Sequence, residues 1–233
     1  MTTAYAAATV REQNATASRT WAAVGAVAGL AGVASIQTSL TIDAGYAPDT
    51  IGDPEKVVER LADQTVAILV THTLTIITAL LLVVFAAGLK RRLEAQAPVG
   101  SLLPSVAASG LGLVSVAALL GSGLTTEFVF GANAPKGELV PESGDFYAHW
   151  IATIPWLWVG AGLTGVAVAA AALKHSAAPR WIGWVGVVLG GLTLLAGISP
   201  LQYMAGFTGP VWLLVTGLGF LFADRRRSDA RLK

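Results

Sequence analysis

Residues Asp145–Leu173, DFYAHWIATIPWLWVGAGLTGVAVAAAAL, decide the fold class. The stretch opens with Asp145, Tyr147, His149 and Trp150, passes Pro155, Trp156 and Trp158, and closes in small apolar residues. At about 1.5 Å of rise per helical residue it crosses a hydrocarbon core of roughly 30 Å with a polar end left over. It reads as one membrane crossing, 147–173, whose first two turns face something polar.

Composition extends that reading to the whole chain. Of 233 residues, 54% are hydrophobic and only 12% charged, against about 25% charged in soluble domains. With 26 glycines and a mean hydropathy of +0.65, the chain reads as an all-α polytopic membrane protein. The lack of cysteine removes disulfides, thiolate metal sites and cysteine nucleophiles.

Six apolar runs are long enough to cross: about 21–42, 65–89, 102–125, 147–173, 181–198 and 210–222, the last being the shortest. They form a single domain, 21–223, between a polar tail, 1–20, predicted as disordered, and a basic tail, 224–233. Arg11 and Arg19 before an apolar run ending near Val33-Ala34-Ser35 also permit a signal-peptide reading, which the continued apolar run disfavours. In span 1, Gly25 and Gly29 form a G-x-x-x-G with Gly32 beyond it, a face for close helix approach and for an oligomer or partner subunit. Between spans 1 and 2, turns in GYAPDTIGDP lead to Pro54 and an amphipathic segment, EKVVERLADQ, predicted as a short interfacial helix. No repeat relates spans 1–3 to spans 4–6, and no broken or charged span is predicted, which argues against a secondary transporter.

Charge orients the bundle, because cytoplasmic loops collect Lys and Arg. With the N-terminus inside, twelve of the 15 basic residues are cytoplasmic and only Lys56, Arg60 and Lys136 are outside. Both termini are then cytoplasmic, while ten of the 14 acidic residues fall outside. The tail DRRRSDARLK serves as a topology anchor, and His175 beside Lys174 suits the cytoplasmic end of span 4. No nucleic-acid partner is expected.

In this orientation the polar intramembrane residues gather in the outer half. Gln64, Ile68, Thr71, Thr75 and Thr78 share one stripe of span 2 with His72 beside it, and His149, Thr153, Trp156, Gly160 and Thr164 share one of span 4. Gln37, Ser39 and Asp43 end span 1, Glu127 follows span 3, and Tyr203 lies between spans 5 and 6. The reading is an outward-facing pocket walled by spans 1 to 4, with Trp150, Trp156, Trp158, Tyr203 and Trp212 as aromatic lining. Its ligand-binding candidates are His72, His149, Gln37, Thr75, Glu127, Thr153, Trp156 and Tyr203. The bland alternatives are an interfacial aromatic belt for Trp150, Trp181, Trp184 and Trp212, and threonines bonded to their own helices.

Chemistry rests on the histidines, since an ionisable ring within a span is rare. His72 and His149 are metal-ligand candidates, binding haem iron axially or, with Glu127 or Asp43, Zn or Cu; acid–base work by His72 with Glu127 or Asp145 is the other option. A satisfied packing histidine is the plain alternative for His72. There is no G-x-x-x-x-G-K-[ST] and no G-x-S-x-G, and Gly121-Ser122-Gly123 lacks a histidine on a late span to act as its base.

At the start of span 5, Pro179-Arg180-Trp181-Ile182-Gly183-Trp184-Val185-Gly186 resembles a signature of uncharacterised small polytopic membrane proteins of actinobacteria, in which Pro-Arg-Trp-Leu-Gly-Trp opens a late span. The resemblance covers about twenty residues; it implies a bacterial cytoplasmic (plasma) membrane and assigns no site residue and no cofactor. The sequence thus predicts a six-span protein in the lipid bilayer that binds a small or lipidic ligand as a binding, sensing or accessory module. The rivals are a membrane enzyme or redox protein at His72 and His149, and a structural subunit of a larger complex.

Overall fold

The computed structural model describes residues 2–135 and 137–229, with side chains over 20–135 and 137–223. The backbone of the 1–20 tail, expected to be disordered, is described as helix from Thr2, and that of the basic tail as helix to Asp229, both without described side chains before Thr20 and after Ala223. Ten α-helices follow one another among the described residues: α1 Thr2–Ser39, α2 Pro54–Asp63, α3 Thr65–Glu94, α4 Leu103–Ser122, α5 Thr125–Ala132, α6 Pro141–Thr153, α7 Val159–His175, α8 Arg180–Val185, α9 Gly191–Ile198 and α10 Ala205–Asp229. There are no strands among them.

Six segments are long and apolar enough to span a membrane: Thr20–Ser39, Thr65–Glu94, Leu103–Ala132, Pro141–His175, Arg180–Ile198 and Gln202–Ala223. Exposed side chains such as Leu30, Val66, Leu80, Leu113 and Leu195 coat their outer faces, as expected where lipid is the solvent. Span 6 is not the shortest, since at 22 residues it exceeds the 19 of span 5. Pro210 lies inside α10 rather than at its start. Its ring is accommodated beside Gly32 of α1, where a Cβ would stand 3.1 Å from the proline Cβ.

Span 4 is the main departure from expectation. Instead of one crossing, α6 stops at Thr153, a 3-10 turn covers Ile154–Trp156, and α7 restarts at Val159. The cause is Pro155, which has no N–H for the carbonyl four residues back and clashes with it. Around the break, Leu157 N–H donates to the Ile154 carbonyl (3.1 Å) and Trp158 Nε1 to the Pro155 carbonyl (3.2 Å). Span 3 is interrupted too, at Gly123 and Leu124, before α5. Span 5 joins α8 to α9 through a π-helical turn, Gly186–Gly190.

In lipid, helices gain nothing by hiding apolar faces from each other, so close van der Waals approach holds the bundle. Glycines provide it. Span 1 packs between spans 2 and 6, where Gly25 meets the Phe85 ring and Gly29 meets the backbone of Leu214. The G-x-x-x-G face expected to serve a partner is therefore filled within the chain. Gly110 and Gly160 bring α4 and α7 into backbone contact, and Thr164 Oγ1 donates across that seam to the Ala107 carbonyl (2.8 Å). Gly165 sits against Gly190 of the π-helical turn. One end of spans 1, 2 and 6 is pinned by Trp21, stacked on Phe85 (centroids 5.4 Å) and tilted on Phe220 (5.2 Å). Trp181 and Trp184 are exposed as expected of interface residues, but Trp212 is wholly buried in this core and is no belt residue. It faces the open backbone of Gly165, whose added Cβ would lie 3.1 Å from its Nε1.

A second cluster caps the end of the bundle at which α1 terminates, called here the Asp43 end. It contains Ile42, Val57, Leu61, Ile68, Phe128, Tyr147 and Ile151. The amphipathic segment after Pro54 is α2, as the sequence predicts; Asp53 caps it by accepting from Lys56 N–H (3.3 Å), and Val57 and Leu61 are its buried face. Phe128 of α5 stacks on Tyr147 of α6 with centroids 4.6 Å apart.

Gly29→Leu is expected to drive a side chain into the Leu214 backbone at a cost of the order of 3 kcal/mol, whereas Gly112→Leu, with no atom within 4 Å of an added Cβ, is tolerated. Thermal melting of the two purified variants in detergent checks the contrast.

Candidate functional site

The broken span leaves a cleft at the Asp43 end. Its volume is about 470 Å³, and it is lined by Ser39, Leu40, Ile42, Asp43, Tyr46, Ala152, Thr153, Trp156, Tyr203 and Phe207. The walls come from the end of span 1 and its following loop, the break in span 4, and the start of span 6. Spans 2 and 3, expected to wall the pocket, do not line it. The size falls within the range of small-molecule sites, about 300–1,000 Å³.

Each wall is fixed by a specific bond. Trp156 Nε1 donates to Ser39 Oγ (3.0 Å) in a buried contact, tying span 4 to span 1 and setting the indole plane. Phe207 meets that indole edge-on, with centroids 4.9 Å apart. Thr153 Oγ1 turns back to the His149 carbonyl (2.7 Å). On the loop, Tyr46 packs edge-on against His149 (5.1 Å), and its hydroxyl lies 3.2 Å from His149 Nδ1. Gly45 permits this docking, since a Cβ there would already lie 3.2 Å from Ala148 Cβ.

Asp43 is the charged member of the lining. Arg60 of α2 grips its carboxylate in a bidentate pair, Nε to Oδ1 and Nη2 to Oδ2, both 2.8 Å, and reaches Asp49 with Nη1 (3.3 Å). Gln64 Nε2 also donates to Asp43. The hydrogen bond from Arg60 holds the Asp43 carboxyl below its ordinary value, outweighing partial desolvation, and Asp43 in turn raises Arg60. This clamp staples the loop after span 1 onto α2, so the cleft wall and the cap share one ion pair.

Of the residues singled out in the sequence, Thr153, Trp156 and Tyr203 line the cleft, and His149 stands behind it against Tyr46. His72 and Thr75 belong elsewhere. With Thr71, Ser122, Thr125 and Pro155 they line a separate cavity of about 10 Å³, no larger than a water molecule requires. There the threonines serve packing: Thr75 Oγ1 is 2.6 Å from Ser35 Oγ, and it bonds its own turn at the Thr71 carbonyl (2.7 Å). His72 Nδ1 and Thr71 Oγ1 are buried without a partner among the described residues. Gln37 and Glu127 are exposed on α1 and α5 and touch neither cavity.

The expected lining by Trp150, Trp158 and Trp212 is not observed. Trp150 Nε1 bonds the Leu120 carbonyl (3.2 Å), and Trp158 is wedged against Gly32 and Gly209. The pair His72 and His149 does not converge, and among the described residues no three His, Asp or Glu side chains group to hold a metal ion. Sequence reasoning missed Leu40, Ile42, Tyr46, Ala152 and Phe207 as wall residues. Tyr46 sits in a turn-rich loop, and Phe207 precedes the Pro210 taken as the start of span 6.

Compared with known proteins, the chain matches no family model, no curated protein and no solved structure.

Asp43→Asn is expected to lower the melting temperature, with a sign set by linkage. A carboxyl held below its ordinary value of 3.8 stabilises the fold above that pH and loses its contribution as pH falls through the lowered value. The melting deficit of the variant should therefore be full at neutrality and shrink below about pH 4. A deficit unchanged down to about pH 3 would assign the loss to packing instead of charge.

Proposed function

We propose that the protein is a binding, sensing or accessory module of a bacterial cytoplasmic membrane, taking a small or lipidic ligand into the cleft between Ser39, Asp43, Trp156 and Phe207. The observation that carries this reading is the cleft itself: about 470 Å³ with four aromatic rings and one carboxylate among ten lining residues, the apolar wall with few polar groups that ligand sites present. Leu40, Tyr203 and Phe207 are exposed at its rim, at 53%, 44% and 39% accessibility, and an apolar rim of this kind suits an opening toward the bilayer. The distribution of Lys and Arg supports a cytoplasmic N- and C-terminus and hence an outward-facing cleft. The Pro-Arg-Trp-Ile-Gly-Trp resemblance supports the bacterial membrane.

The two rivals have less to stand on. An enzyme or redox protein built on His72 and His149 needs the imidazoles to share a site, and they lie in separate surroundings. A subunit assembling through Gly25 and Gly29 needs a free face, and Phe85 and Leu214 occupy it.

Ala152→Trp fills the cleft from its wall. Native mass spectrometry of protein purified from membranes should find a small amphiphile on the wild type and none on Ala152→Trp; identical bound species on both would sink the binding reading. Orientation is tested separately. In this cysteine-free chain, Ile51→Cys should react with an impermeant maleimide on intact cells, and Val99→Cys only after lysis.

A further inference from the structure

Resting on the cleft reading above, the geometry points to a ligand class: we infer that the cleft takes an amphiphile with a substituted-ammonium head, its cationic group among Tyr46, Trp156, Tyr203 and the Asp43 carboxylate, its chain leaving over Leu40 and Phe207. The argument is one of available partners. Among the described residues no Lys or Arg lines the cleft. The guanidinium that reaches Asp43 is committed to Asp43 through Nε and Nη2 and to Asp49 through Nη1. Trp156 N–H is spent on Ser39, and the Thr153 hydroxyl on the His149 carbonyl. An anionic head would therefore find no cationic group among the described lining residues and, of the wall's N–H and O–H donors, the Tyr203 hydroxyl at the rim.

A cation meets the opposite. Asp43 and Asp49 share one arginine, so the trio carries a net charge of −1, part of it on exposed Asp49 within Coulombic reach of Lys56. Aromatic faces attract cations through the ring quadrupole, and the attraction strengthens where water is excluded. The Trp156 indole, immobilised by its bond to Ser39 and by the edge of Phe207, presents such a face without further ordering cost. The rim then explains the chain. Leu40 and Phe207 are apolar and exposed at the rim, which lets a hydrocarbon tail leave over them while the head stays at the depth of Asp43.

The test uses the full-length protein in maltoside micelles. Decyltrimethylammonium, decyl glucoside and decyl sulfate are titrated in turn, and the bound fraction is read by native mass spectrometry. Binding that survives in Ala152→Trp is subtracted as micelle partition. The expected result is that the ammonium binds about tenfold or more tighter than the other two, and that Tyr203→Leu and Asp43→Asn each reduce this preference to about threefold or less. Tyr203→Leu leaves the Arg60 clamp intact, so it decides the matter if Asp43→Asn does not fold. Equal binding of all three heads, abolished by Ala152→Trp, overturns the ammonium class and leaves the cleft reading standing. Binding of all three heads that Ala152→Trp does not alter overturns both. Tetramethylammonium, which has no chain, separates the sources: competition at similar concentration assigns a soluble ammonium compound, and none assigns a lipid.

Discussion

Inside hydrocarbon a backbone carbonyl deprived of its donor has no water to turn to, and the break at Pro155 raises that problem in the middle of a span. The local solution organises the molecule. The chain tightens into a 3-10 turn, Trp158 swings its indole N–H back to the Pro155 carbonyl, and Trp156 reaches across to Ser39. Gly121 of α4 leaves space for the proline ring, since a Cβ there would lie 2.8 Å from its Cγ. Trp158 packs against Gly32 of span 1 and Gly209 of span 6, and Trp156, bonded to Ser39 and packed on Gly206, lines the cleft. Pocket and packing descend from the same kink.

The remainder of the bundle shows how a protein assembles where the solvent is as oily as its core. Contact is made backbone to backbone at Gly29, Gly110, Gly160 and Gly165, and a few hydroxyls, Thr164 and Ser115 among them, cross between helices to carbonyls. Among the described residues charge gathers at the ends. An ion-pair network with a structural task, Arg60 with Asp43 and Asp49, sits where α1 has ended and α2 passes over it, and its bidentate geometry makes it more than an incidental surface pair.

How far the sequence could be read follows from the same physics. Length and apolarity reveal spans, and depth follows from counting residues, so six crossings and the gathering of polar groups toward one end were legible. Azimuth was not. A helix in lipid is apolar toward its neighbours and toward the bilayer alike, so nothing in span 1 or α5 distinguishes Gln37 or Glu127, which face outward, from Ser39, which faces the cleft. Helix α2 shows the contrast: it lies where water wets one side, its Val57 and Leu61 stand out against charged neighbours, and it was legible to within a residue. Pro155 was visible all along, but the 29 apolar-to-polar residues around it were long enough to conceal a kink within one crossing.

The Asp43 side chain belongs at once to the wall of the cleft and to the staple that seats the loop on α2. Two equilibria that involve one residue are thermodynamically reciprocal. Any occupant that favours the docked loop must, to the same degree, hold α2 and its partners α5 and α6 in place, and any disturbance of that layer from the aqueous side must be felt as altered occupancy within the bilayer. An occupant of the proposed kind would thereby be coupled through Asp43 to the layer formed by α2, α5 and α6, with no requirement for the spans to move.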